Sequence, residues 1–194
     1  MTQWVDPSGR GRERGPIGVL RAWIGVVTTP RAFFKTAVAP GDQAPGLVFL
    51  GAIVAIEESA RYVLVPGAAP VVGGRPVATA VLAVLGTVVL IAPTGLHLLA
   101  AIQTVLLWPI TADRAGISET VQVLAYATAP CVVAGVPVPP LQVAATGYGA
   151  VLLVVGLSTV HEISYPRGAL AGSIPAALLH GVAFGGFDAL GAIV

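Results

Sequence analysis

Charge is what this sequence holds least of. Only 10% of its 194 residues are Asp, Glu, Lys or Arg, while 56% are hydrophobic. A soluble domain carries about 25% charged residues and needs them to cover its surface. A chain with a mean hydropathy of +0.88 has no such cover, so lipid is the solvent for most of it. Cysteine is nearly absent too. Cys131 stands alone and cannot close an intramolecular disulfide. The histidines, His97, His161 and His180, are far apart, and neither an HExxH nor a Cys/His spacing marks a metal site. There is no phosphate-binding Gly-Lys-Ser/Thr loop, no GxSxG elbow and no carboxylate pair in a soluble domain. The expectation is therefore a non-enzymatic protein with no catalytic residues, no metal and no cofactor. The basic N-terminal stretch lacks interleaved aromatics, which argues against nucleic acid as a partner. It suits anionic lipid headgroups better.

Glycine and proline are plentiful, with 24 and 16 residues, and membrane helices tolerate both. "RGRERGPIGVLRAWIGVV" starts basic and turns apolar like a signal peptide. Arg21 interrupts it, however, and "TTPRAFF" stands where a small-residue cleavage site is needed. Residues 1–15 read as a flexible basic tail. Over 16–43 a short helix and a turn-rich linker, "APGDQAPG", are expected. Pro16 is suited to open that helix. Ile17, Leu20, Ile24 and Val27 recur on one face, with Arg21 off the stripe. That pattern fits a helix lying in the membrane interface and equally one packed on other helices. Phe33 and Phe34 are able to sit at the interface.

Residues 44–194 form the transmembrane domain, an all-α polytopic bundle. Charge gaps locate its spans: 45–65, 76–110, 119–136, 143–162 and 168–187. About 20 residues cross about 30 Å of hydrocarbon. The uncharged run 76–112 is long for one span and short for two, and Pro93 and Gly95 allow either a kink or a hairpin. The cationic residues favour one span. Arg10, Arg12, Arg14, Arg21, Arg31 and Lys35 put the N-terminus in the cytoplasm, and with five spans Arg114 and Arg167 fall on the same side. The C-terminus is then outside the cell membrane.

Polar residues within spans are the candidate functional groups. In "AIVAIEESARYVLV", Glu57 and Glu58 sit four and three residues before Arg61, so one cation reaches both carboxylates. Two readings stand: a self-neutralised cluster that pins the helix near the outer interface, or a proton, ion or substrate site. His97 and Gln103 complete the candidate intramembrane cluster, as pathway residues or as interhelical hydrogen-bond donors. His161 and Glu162 read as a solvated pair at the end of span four, and His180 as a packing residue. Gly168 with Gly172, and Gly181 with Gly185, make two GxxxG spacings for close helix packing within one chain or between two. A homo-oligomer is thus open.

Three stretches together resemble the prokaryotic branch of the Yip family, membrane domains of the Ypt/Rab-interacting-protein type. "WIGVVTTPRAFFKTAVAPGDQAPGLVF" is similar to that family's opening segment, where a tryptophan precedes a P-x-x-F-F box and the first span. "HLLAAIQTVLLW" with "AGISETVQVLAYATAP" looks like its middle section. "YGAVLLVVGLSTVHEISYPRGALAG" is similar to its penultimate span, loop and last span. The resemblance implies five spans, a cytoplasmic N-terminus and a role in membrane organisation or partner binding, with protein partners at the N-terminal region. Eukaryotic relatives bind prenylated Rab-type GTPases. Their Asp-Leu-x-Gly-Pro element has no match in "VDPSGRGRERGP", so that role is not carried over. The alternative is a small transporter or channel using Glu57, Glu58, Arg61 and His97.

Overall fold

The computed structural model describes residues 15–194; the basic tail, but for Gly15, lies outside the described residues. Among the described residues every regular element is helical. The helices are α1 (Pro16–Thr28), α2 (Pro30–Ala37), α3 (Ala44–Leu64) and α4 (Pro76–Leu107). They continue with α5 (Ile117–Ala127), α6 (Pro139–Val160), α7 (Tyr165–Ala176) and α8 (Gly186–Gly191). Proline explains many of the starts. It occupies one of the first two positions of α1, α2, α3, α4, α6 and α7, where its missing N–H costs no hydrogen bond and its fixed φ suits the helix.

The ambiguous run after Arg75 is one helix. α4 holds 32 residues, and its most apolar stretch, of mean hydropathy 2.2, has no buried residue. At 1.5 Å per residue it is about 48 Å long, more than a bilayer core. Such an apolar rod needs lipid around it. α6, the other helix long and apolar enough to cross a membrane, is 44% buried over the same kind of stretch. α5 is the opposite of α4. Every residue from Thr120 to Ala129 is buried. It runs up the middle of the bundle, contacting α3, α4 and α6, and continues as a 3-10 turn over Ala129–Val133.

The phenylalanines correct one expectation. Phe33 and Phe34 do not lie at an interface; they are 0% and 1% exposed. Phe33 stands edge-on to Tyr126 of α5 at 4.9 Å between centroids, and Phe49 of α3 packs on the same Tyr126 at 5.1 Å. α2 thus keeps Arg31 and Lys35 on its exposed face and inserts the other, Phe33, Phe34 and Ala37, into the bundle. Gly156 of α6 makes room for it: an added Cβ would lie 3.0 Å from the Phe34 ring. α1 packs on the bundle through Gly18, Ala22 and Val26. The stripe Ile17, Leu20 and Ile24 is its outward face, while Val27 is half-buried. The packing expectation for α1 is met by the first face; the second is apolar and unpartnered among the described residues.

Proline also marks where the long helices loosen. Pro93 follows a π-helical turn over Thr87–Ile91. Pro175, inside α7, precedes a π-helical segment over Ala177–Ala183. A proline removes the bond to the carbonyl four residues back and crowds it, and wider turns are one relief. Span five then ends early. Gly185, at φ 69°, turns the chain into the separate short helix α8, where one continuous span to residue 187 was expected.

The two ends of the bundle differ. Gly46, near the start of α3, abuts Gln122 of α5. His161, at the end of α6, meets Ala115 and Thr120 just before and within α5. These contacts gather α2, the 108–116 loop and the 161–164 loop at one end, with Arg31, Lys35, Arg114 and Arg167. The far end carries Arg61 and Arg75.

Candidate functional site

α3 is apolar for its first three turns, so its charges fall together near its far end. Glu57 is 13 residues past the start, about 20 Å along the axis. Glu57 and Glu58 are 8% and 9% exposed. Arg61, half-exposed, donates from its guanidinium to Glu58 Oε2 and stands 3.8 Å from Glu57 Oε1. Its guanidinium also lies 5.5 Å from the Tyr62 ring centroid, a cation–π distance. Both carboxylates therefore share one cation, and one formal negative charge remains in excess.

The backbone below the triad is held tightly. Gly135, just past the 3-10 turn, lies so close to α3 that any Cβ there would collide with the Glu57 carbonyl oxygen and the Arg61 nitrogen. This close approach fixes the height of the triad relative to the end of α5. On the other side the carboxylates line a cavity of about 330 Å³. Leu50 and Val54 of α3 wall it, as do Thr87, Ile91, Leu96 and Leu99 of α4, Leu179 and Ala183 of the π-helical segment after α7, and Phe184 just beyond. Apart from Thr87 and the two glutamates, every lining side chain is apolar or a glycine. Both π-helical segments contribute to it, Thr87 and Ile91 from one and Leu179 and Ala183 from the other. Wider helical turns and freed carbonyls recur at functional positions.

The rest of the expected cluster is elsewhere. His97 is exposed on α4, and its Nδ1–H donates to the Pro93 carbonyl of its own helix at 2.7 Å; it does not line the cavity. Gln103 is wholly buried, and its Nε2 donates to the Ala171 carbonyl at 3.0 Å. Ala171 stands four residues before Pro175, so its carbonyl is the one the proline leaves without a helical partner. Gln103 replaces that lost bond, as lipid-embedded backbone requires. His180 Nε2–H donates to the Ala127 carbonyl at the C-terminus of α5, at 3.2 Å.

His161 and Glu162 are not a solvated pair. His161 is 1% exposed and Glu162 is exposed. His161 Nδ1 accepts from the Ala115 N–H at 3.1 Å, and Nε2 faces Thr120 Oγ1 at 3.4 Å. The ring lies past the end of α6, in the loop. Burial, with a smaller contribution from Arg114, pushes its pKa down to about 4. It stays neutral near pH 7 and keeps its acceptor nitrogen.

Gly168 and Gly172 face α6, where added Cβ atoms would meet Ser158 and Leu157. Gly181 faces the Phe187 ring of α8, whereas Gly185 has open space and a left-handed backbone; its part is in the turn, not in packing. Reading the sequence missed Gln122. Its amide accepts from the Ala39 N–H at 3.1 Å and donates to the Ala39 carbonyl at 2.7 Å, clamping the linker between α2 and α3. A lone amide in an uncharged run was the available signal. Trp23 and Tyr148 do the same work, donating to the Ala129 and Val27 carbonyls at 2.8 and 2.6 Å.

The family model described as Yip1 domain matches residues 24–186. Comparisons with curated proteins and with solved structures return no match.

Proposed function

The chain belongs to the Yip1 domain family and is a membrane protein; on that premise we propose that it works without catalysis, as a multi-pass bundle that binds partners or organises the membrane. The observation that carries this reading is the composition of the cavity beside Glu57 and Glu58. It is walled by apolar side chains and takes in neither His97 nor Gln103. A permeation path needs a succession of polar groups, and Arg61 already neutralises one of the two carboxylates. An apolar recess with an acidic rim is better suited to receiving an apolar segment of a partner in the bilayer.

The bundle crosses the membrane five times, through α3, α4, α5 with its 3-10 turn, α6 and α7. The N-terminus is cytoplasmic and the C-terminus outside, because Arg31, Lys35, Arg114 and Arg167 share one end. Single cysteines in a Cys131→Ser background test this. Positions 114 and 167 are expected to label from the cytoplasmic side and position 75 from outside; position 114 labelling only from outside refutes it.

Partner binding has its own test. Photo-cross-linking residues at Ile91 and Leu99, against Leu141 as an outward control, are expected to give an adduct of discrete mass in native membranes from the cavity positions alone. Equal labelling at all three would count against the reading. The transporter alternative keeps one observation in its favour, the uncompensated carboxylate between two π-helical segments.

A further inference from the structure

A second cavity lies at the opposite end, and nothing in the partner-binding reading uses it. It has a volume of about 520 Å³ and is bounded by Arg31 and Lys35 of α2, Ser158 at the end of α6, and Glu162, Ser164 and Tyr165 of the following loop and helix. We propose that this cavity binds a monoanionic phosphodiester, the phosphate of an anionic phospholipid.

Charge comes first. Arg31 and Lys35 are one helical turn apart, so both project from one face of α2. No described acidic residue pairs with either. Glu162 is the acidic group of the lining, which leaves a formal charge of +1, matched by one phosphodiester. The second observation is Ser158. It is 8% exposed, it lines the cavity, and its Oγ has no hydrogen-bond partner. A buried hydroxyl without a partner carries a desolvation penalty, which a phosphate oxygen would relieve. The third is the N-terminus of α7. Ser164 caps it without using its side chain, and the Tyr165 and Arg167 N–H groups precede the first bond of the helix, Gly168 N–H to the Ser164 carbonyl at 2.9 Å. Free N–H groups and the helix dipole favour an anion there. Glu162 adopts φ 52°, which turns the chain back so that the α7 N-terminus and α2 border the same space.

Phosphate can come from a lipid headgroup or from a soluble phosphate ester, and the test separates them. The full chain in detergent is titrated with phosphatidylglycerol or phosphatidylcholine of matched acyl chains, and bound lipid is counted by native mass spectrometry. Phosphatidylglycerol is expected to bind in preference. The Arg31→Gln/Lys35→Gln double variant is expected to lose roughly 25-fold in that affinity, at roughly fivefold per cation. Arg75→Gln, at the far end, leaves it unchanged. Glu162→Gln is expected to strengthen binding roughly fivefold, a gain that misfolding cannot imitate. Displacement by glycerol phosphate alone, with the same dependence on variants, would keep the phosphate site and assign it to a soluble ester. Equal binding of the two lipids, or wild-type affinity in the double variant together with no gain in Glu162→Gln, overturns the proposal.

Discussion

Two sets of buried polar groups in this bundle differ in what they do. Gln103, Gln122, His161 and His180 each close a backbone bond left open by a proline, a helix end or a linker. Glu57 and Glu58 close none; they share Arg61 and face an apolar cavity. The first set follows from burial, since no water is available to pair a freed backbone N–H or carbonyl. The second has no such necessity. An apolar pair at 57 and 58 would satisfy every helical bond of α3, so the carboxylates are where this molecule departs from what folding alone requires.

Removing Arg61 tests that difference most severely. Arg61→Gln strands two buried carboxylates, at a cost of about 3 kcal/mol. The expected result is a lowered thermal transition in detergent, largely restored in Glu57→Gln/Glu58→Gln/Arg61→Gln. A triple variant as unstable as the single one would mean that the charges are integral to the fold. Next come the amides. Gln122→Leu leaves the Ala39 N–H unpaired and its carbonyl with only the long Asp42 N–H bond of 3.5 Å, and Gln103→Leu strands the Ala171 carbonyl, each costing about 1–3 kcal/mol. If neither shifts the transition, these bonds do not hold the backbone.

What the sequence revealed follows the same division. The apolar run, followed through the charged triplet for the length a bilayer needs, located α3 within a residue of its ends. Charge counting also favoured one helix over 76–110, which α4 is. Faces were harder to read. In water an apolar stripe points inward, but in a membrane both faces are apolar. Ile17, Leu20 and Ile24 therefore marked the outer face of α1, while the packed face was written in small residues, Gly18 and Ala22. Phe33 and Phe34 were misplaced for the same reason: aromatics suit an interface and a core alike. His161 looked solvated because it precedes a glutamate, and only the fold of the 108–116 loop over it reveals its burial. Gly185 matched a packing motif, but spacing carries no information on its left-handed turn.

The central claim is that Glu57 and Glu58 form no conduction path. Proton and monovalent-cation flux into liposomes containing wild type or Glu57→Gln tests it directly. Equal flux from both, at the level of protein-free liposomes, is the predicted result. Flux above that level in wild type, abolished by Glu57→Gln, would contradict it and make the acidic cavity a transport site.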